Sequence, residues 1–311
     1  MKKWILGAAV CFALMFSSFF PHETSAKVIW DGMELKKGQI GKVTILKQTE
    51  LYQLNGTKKK VLRKLKPGEV YRIYQFLPGK LGLGGGKFID RDNRIKYQTP
   101  SKEKIQALGV KITKHRYQNT IDYPQVSGLI SKSAQNKINE TIKKHVRASY
   151  NGLVELEKQE KELREEYYDP ENDYEFWYNF EYNMSYEIKY NENNLLSILI
   201  YDYMYTGGVH GMTDVTSYNF NVLTGQQLKL GNVAKSQTAL NKIKKYAITD
   251  LTNRANRGEM VFKEFLHDMK INNDRPFYFT SNGIVIKFFE YEVAPYAAGM
   301  PEVKIPYSVF K

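Results

Sequence analysis

Apolar and polar residues alternate with a period of two between Phe176 and Tyr190. Phe176, Tyr178, Phe180, Tyr182, Met184, Tyr186, Ile188 and Tyr190 share one side, and Asn179, Glu181, Asn183, Ser185, Glu187 and Lys189 share the other. This pattern predicts a long strand with one buried and one wet face. Asn191-Glu-Asn-Asn194 predicts a turn. Leu195 to Tyr201 is apolar on both sides and predicts a more central antiparallel partner. It continues through Tyr203 into Tyr205-Thr-Gly-Gly-Val-His-Gly-Met212, and Val215 to Val222 returns as a further strand.

Elsewhere the period changes to that of a helix. Ala134, Ile138, Ile142, Val146 and Tyr150 recur every four residues after Ser131, with Leu153 and Leu156 extending the stripe. The highly charged run Glu155 to Glu166 follows, and Asp169-Pro170 ends the helix. Ser236 is placed to cap a second helix with Leu240, Ile243, Ala247 and Leu251 on its buried side. A shorter helix is expected around Val261 to Met269. Phe277 to Thr280 and Ile284 to Phe289 predict a hairpin, and Val303 to Pro306 a closing edge strand. Helices packed on one face of an antiparallel sheet make residues 108–311 an α+β domain.

Residues 27–100 read as a separate all-β module. Short β-rich runs at Val43–Leu46, Leu51–Leu54, Val61–Leu65, Val70–Phe76, Lys87–Ile89 and Ile95–Tyr97 are punctuated by Asn55-Gly56, Pro67-Gly68 and Asp92-Asn93. Strands this short with tight turns fit a small SH3-like barrel. Leu65-Lys-Pro-Gly-Glu-Val-Tyr-Arg-Ile-Tyr74 resembles SH3-type modules of secreted bacterial wall proteins. Gly82-Leu-Gly-Gly-Gly-Lys87 lacks the spacing and the Ser or Thr of a phosphate loop, and reads as a hairpin tip. Lys58-Lys-Lys60 reads as a solvated basic face that could also rest on an anionic polymer. Thr99 to Lys104 marks the boundary, with Ser101 capping a short helix through Leu108.

Residues 1–26 have the form of a secretory signal: Lys2 and Lys3, an apolar stretch from Trp4 to Phe20, a break at Pro21, and Thr24-Ser-Ala26 before a cut ahead of Lys27. An uncleaved anchor is the alternative, because the apolar run is nearly long enough to span. Cleavage is the expectation, so no stable transmembrane anchor. The only cysteine, Cys11, lies in this leader, so the exported chain has no disulfide. Export without disulfides suits a Gram-positive bacterial surface, secreted or wall-associated. Loss of Lys2, Lys3 and Glu23 takes the formal charge from +13 to +12. That balance favours attraction to an anionic wall polymer or membrane surface. Export and the lack of a nucleic-acid motif exclude nucleic acid as the expected partner.

Two broken loops carry the candidate chemistry. Tyr205 and His210 lie in the first; Glu290, Tyr291, Glu292 and Tyr296 lie in Phe289-Glu-Tyr-Glu-Val-Ala-Pro-Tyr-Ala-Ala-Gly-Met-Pro301. If the loops meet at one end of the sheet, these six residues line a shallow ligand-binding surface. A second reading makes the site catalytic. Glu290 and Glu292 on one strand face would stand roughly 6.6 Å apart at the backbone, with His210 as a base. A third makes His210 a structural tie between glycine-rich turns. His210 has no second histidine at a metal spacing, so no metal and no cofactor is expected. His115, His145 and His267 read as structural or surface residues.

Tyr205-Thr-Gly-Gly-Val-His-Gly211, Phe220-Asn-Val-Leu-Thr-Gly225, Phe277-Tyr-Phe-Thr280 and Glu290 to Gly299, in that order, carry a resemblance. Residues 108–311 resemble the extracytoplasmic domain of RsiV-type lysozyme-sensing anti-sigma factors. They are similar too to the non-catalytic region of PdaC-type peptidoglycan deacetylases. No sigma-binding segment precedes the leader, and the paired His and Asp motifs of a deacetylase are missing. The resemblance therefore implies a binding half without its effector: a non-catalytic envelope protein that recognises cell-wall glycan or a protein such as lysozyme. The alternative is a peptidoglycan hydrolase or deacetylase using Glu290, Glu292 and His210. Lysozyme is cationic, so it would need an acidic patch such as Asp169, Glu171, Asp173, Glu175 and Glu181.

Overall fold

The computed structural model describes residues 27–168 and 179–311. The leader, its cleavage site and most of the acidic patch (Asp169, Glu171, Asp173 and Glu175) lie outside the described residues. So do Phe176 and Tyr178, at the start of the alternating run. Among the described residues no helix is long and apolar enough to cross a membrane.

The chain is mixed α+β and its strand pairs are antiparallel. After a short hairpin at Ile29–Glu34, the first part forms two small sheets. Gly41–Ile45 sits between Ile95–Gln98 and Val70–Ile73. The other sheet runs in the order Lys58–Leu65, Thr49–Asn55, Lys87–Asp90, Lys80–Gly82, Gln75–Leu77. Both face one core of Val43, Ile45, Leu51, Leu65, Ile73, Leu81, Ile89 and Ile95. The strands stay in two sheets and do not close into one barrel. Ser101 caps the short helix Lys102–Gln106 through the Lys104 N–H.

Beyond it, the hairpin Lys111–Tyr117 and Ile121–Ser127 leads to the long helix Lys132–Glu166, which Ser131 caps by accepting from the Ala134 N–H. Ala134, Ile138, Ile142, Val146 and Leu156 are buried; Tyr150 and Leu153 are only partly so. The helix covers one face of a four-stranded sheet ordered Glu181–Glu192, Leu195–Tyr205, Met212–Asn221, Gln226–Gln227. On the central strand Leu196, Ile198 and Ile200 point to the helix side, while Leu199 points the other way. This period-two split is why the strand is apolar on both faces. A bulge between Ile188 and Tyr190 shifts the neighbouring strand, so the alternation of that run does not hold to its end.

The pattern along the chain did not disclose that the strands after the long helix divide between two sheets. Phe277–Phe279, Gly283–Lys287 and Glu302–Pro306 form a second, three-stranded sheet. Leu199 and Val215 of the first sheet pack on Tyr278 and Val285 of the second. Buried polar side chains reinforce the contact. Ser197 Oγ accepts from the Phe279 N–H at 3.0 Å, and Asn219 Nδ2 donates to the Phe277 carbonyl at 2.8 Å. The edge of the second sheet thus finds partners among side chains of the first. Its outer face carries the helix Gln237–Asn256, capped by Ser236, through Leu240, Ile243, Ala247 and Leu251. Each sheet therefore has a helix on one face, giving the layers helix, sheet, sheet, helix. The helix expected around Val261 to Met269 is only a single 3-10 turn at Lys263–Phe265. A short helix at Leu230–Ala234 had no apolar repeat to announce it.

Candidate functional site

The stacking of the two sheets brings the two broken loops together. Gly207 and Gly208 adopt φ of 100° and 95°, a region open to glycine, and let the chain reverse beyond Tyr205. Gly211 is needed for another reason: a Cβ there would come within 2.5 Å of the Tyr203 ring and 2.6 Å of the Met204 carbonyl. The returning strand begins directly afterwards, at Met212. Val209 at the tip is 98% exposed, and Met204 and Met212 beneath it are exposed too.

His210 is the tie. Its Nε2 is 2.9 Å from the Tyr291 hydroxyl, 81 residues away in sequence. Its Nδ1 is 2.9 Å from the Gly211 carbonyl. A carbonyl can only accept, so Nδ1 carries the proton and, in the neutral ring, Nε2 accepts from the Tyr291 hydroxyl. The Tyr296 ring stacks on the imidazole at 3.7 Å between centroids and 12° between planes. Tyr291 lies 5.8 Å from Tyr296 and is exposed. Tyr291 has φ of +61°, an unfavourable region for a bulky side chain. Such strain costs on the order of 1–3 kcal/mol and persists where neighbours over-determine it.

The two glutamates part company. Residues 290–292 form a turn rather than a strand, so the one-face spacing expected of Glu290 and Glu292 does not arise. Glu290 accepts from the Thr213 N–H at 3.0 Å, a second tie between the loops. Partial desolvation, and then the charge of Glu290, hold the Tyr296 hydroxyl above its ordinary pKa. Glu292 turns inward. It pairs with Arg275, whose Nη1 lies 2.7 Å from Oε2, and accepts from the Phe289 N–H at 3.0 Å. The Arg275 side chain is 5% exposed. Glu292 therefore braces its loop from beneath. Tyr205 donates to the Gly208 carbonyl at 2.9 Å and closes its own loop. Of the six residues read from the sequence, His210, Tyr291, Tyr296 and Glu290 come together; Tyr205 and Glu292 serve the loops that carry them.

A polar cluster that the sequence did not disclose lies between the long helix and its sheet. His145 Nε2 is 2.7 Å from Asp202 Oδ2, and its Nδ1 is 2.9 Å from the Tyr218 hydroxyl. Ser149 and Tyr182 both donate to Asp202 Oδ1 at 2.7 Å. Burial works against the Asp202 charge, but the bonds from His145, Ser149 and Tyr182 outweigh it and leave the carboxyl below its ordinary value. Burial pushes the Tyr218 hydroxyl up to about 12. Ser149 contacts the carboxylate, not the imidazole, so the cluster lacks the serine–imidazole contact of a Ser-His-Asp triad. The cluster fastens helix to sheet. Its trace in the sequence is Asp202, a charged residue inside the strand that runs from Leu195 through Tyr203.

Residues 110–213 match the family model described as Deacetylase PdaC, and residues 232–308 match the model described as a protein of unknown function, DUF3298. The first match ends just past His210 and the second contains Tyr291 and Tyr296, so the site lies where the two meet. No curated protein matches the chain. Among solved structures, the chain is similar to a DUF3298 family member from Bacteroides fragilis, at 19% identity and a TM-score of 0.43, covering 65% of this chain and 92% of that one. A DUF3298 family protein from Pseudomonas aeruginosa is similar at 15% identity and a TM-score of 0.39, covering 64% and 90%.

Proposed function

We propose that the chain is an exported, non-catalytic protein of the bacterial cell envelope, and that the surface around His210, Tyr291 and Tyr296 holds a ligand without transforming it. The carrying observation is the loop-to-loop tie through His210, which uses both imidazole nitrogens and leaves Tyr291 facing solvent. The Nε2 lone pair faces the Tyr291 hydroxyl, so the imidazole would have to give up that tie before it could take a proton from a ligand. Glu292 is held by Arg275 and Glu290 by a backbone N–H, so no free carboxylate pair faces the surface. The exposed Tyr291 ring, beside the half-buried Tyr296 on a loop braced from below, suits the flat face of a sugar or a hydrophobic anchor of a protein. The ligand is cell-wall glycan or a protein such as lysozyme, in keeping with the resemblance to RsiV-type sensors.

Residues 108–311 form the binding domain in this reading. Residues 27–100 form a basic two-sheet module that adsorbs to anionic wall polymer at a Gram-positive surface. Sedimentation of the exported chain with purified cell wall across a salt series tests the adsorption. Binding at low ionic strength that salt reverses is expected; no sedimentation at low salt contradicts it. The deacetylase name of the first family match favours one rival, an enzyme acting on peptidoglycan. Incubation with peptidoglycan is expected to release neither acetate nor new reducing ends. Turnover that His210→Ala abolishes would replace the binding reading.

A further inference from the structure

We propose that the N-terminal sheets carry a second binding site, a basic groove that takes a linear phosphodiester polymer. The inference rests on the reading that residues 27–100 adsorb to an anionic polymer, and gives that contact a place.

The groove has a volume of 680 Å³ and is lined by Leu51, Arg63, Tyr71, Tyr74, Leu83 and Lys87, with Gly84 and Gly85 at its lip. Leu51 belongs to the buried core, and Tyr71 and Leu83 pack against it, so the floor is a continuation of that core. The sheet register sets the charge. Gln53 is flanked by Lys60 on one neighbouring strand and by Lys87 on the other. Directly opposed residues share a face, so both lysines stand on the groove side, about 10 Å apart at the backbone across two strand spacings. Lys58, opposite Asn55, and Arg63, opposite Leu51, extend the same face.

The two faces of this sheet differ in how their charges are met. On the face of Tyr52, Lys59 bonds Asp90 at 2.8 Å and Arg94 bridges Asp90 and Asp92. On the groove face Glu69 is engaged by Arg63 at 2.9 Å and by the Lys66 N–H at 2.8 Å. Among the described residues Lys58, Lys60 and Lys87 have no carboxylate partner. All three are exposed. The ligand must bring the missing anions, in a row, with uncharged units between them that can lie on Tyr71 and Tyr74. Gly84 fits this arrangement, since a Cβ there would come within 3.2 Å of the Tyr74 ring.

The test titrates the exported chain by calorimetry with poly(glycerol phosphate), with oligothymidylate of equal phosphate number, and with neutral chitohexaose. The glycerol phosphate polymer is expected to bind, and affinity to fall with salt. The double variant Lys60→Glu, Lys87→Glu should bind at least tenfold more weakly, with the log–log salt slope reduced by about 2. The control Lys242→Glu, Lys245→Glu makes the same charge change on the C-terminal helix and should stay within twofold. Binding of both phosphate polymers supports a backbone phosphodiester site. Equal loss in both double variants, binding of oligothymidylate alone, or equal binding of chitohexaose overturns the proposal. Wild-type chain that sediments with wall at low salt, together with an unaffected Lys60→Glu, Lys87→Glu variant, removes the groove and leaves adsorption standing. Failure of the wild type to sediment removes both.

Discussion

His145 and His210 are built from similar parts. Each has one ring nitrogen 2.9 Å from a tyrosine hydroxyl. They differ in what meets the other nitrogen and in what surrounds the ring. His145 faces the Asp202 carboxylate at 2.7 Å, and their side chains are only 13% and 17% exposed. His210 faces a backbone carbonyl, stacks on Tyr296 and reaches a tyrosine that is 47% exposed. The first arrangement satisfies buried polar groups and joins a helix to a sheet. The second joins two loops at the surface and leaves aromatic area uncovered. Histidine chemistry alone does not separate a clamp from a recognition element; the neighbours and the solvent do.

The largest expected effect falls on the brace beneath the surface loop. Arg275→Met leaves Glu292 without its partner in a largely buried place, and should cost about 3–5 kcal/mol in a urea denaturation. A smaller loss would mean that Glu292 turns out to solvent. Asp202→Ala removes the acceptor of three side chains at once and should cost about 2–3 kcal/mol. The depressed pKa of Asp202 also sets a pH dependence. Its contribution is complete above the unfolded value of about 4 and is lost as pH falls through the lower folded value. Denaturation curves for wild type and Asp202→Asn should therefore converge at the acid end. Curves that stay parallel down to pH 2 would remove the ionic part of the clamp.

Gly211→Ala forces a Cβ against the Tyr203 ring and the Met204 carbonyl, and should cost roughly 1–3 kcal/mol while disturbing ligand binding as well. The smallest stability effect is expected at the site itself. His210→Ala should leave stability within about 1 kcal/mol of wild type. Its consequence should instead appear in binding, the reverse of His145→Ala. A His145→Ala variant that stays fully stable and loses ligand would invert the comparison.

Much of the architecture was legible from pattern. The capped helices after Ser131 and Ser236, the strand from Leu195 to Tyr205 and its return are local features with strong periodicity. The two loops were legible as glycine-broken strand ends; their meeting depends on the stack of two sheets, which the pattern did not disclose. The inward turn of Glu292 was not legible either. It depends on Arg275, which carries no periodic signal and sits in a loop before the second sheet. The split into two sheets was hidden for a related reason: Ser197 and Asn219 interrupt apolar strands, and only the stack shows that they bond Phe279 and Phe277. His145 and Asp202 are 57 residues apart, and nothing local joins them.

The most direct measurement of the central claim compares wild-type exported chain with Tyr296→Ala. Each is titrated calorimetrically, at a salt concentration that suppresses the basic module, with soluble peptidoglycan fragments and with lysozyme. The account predicts that one of the two binds the wild type unchanged in chemical form, and that the variant, equally folded, binds at least tenfold more weakly. Equal affinity in the variant, or silence of both ligands toward the wild type, would contradict it.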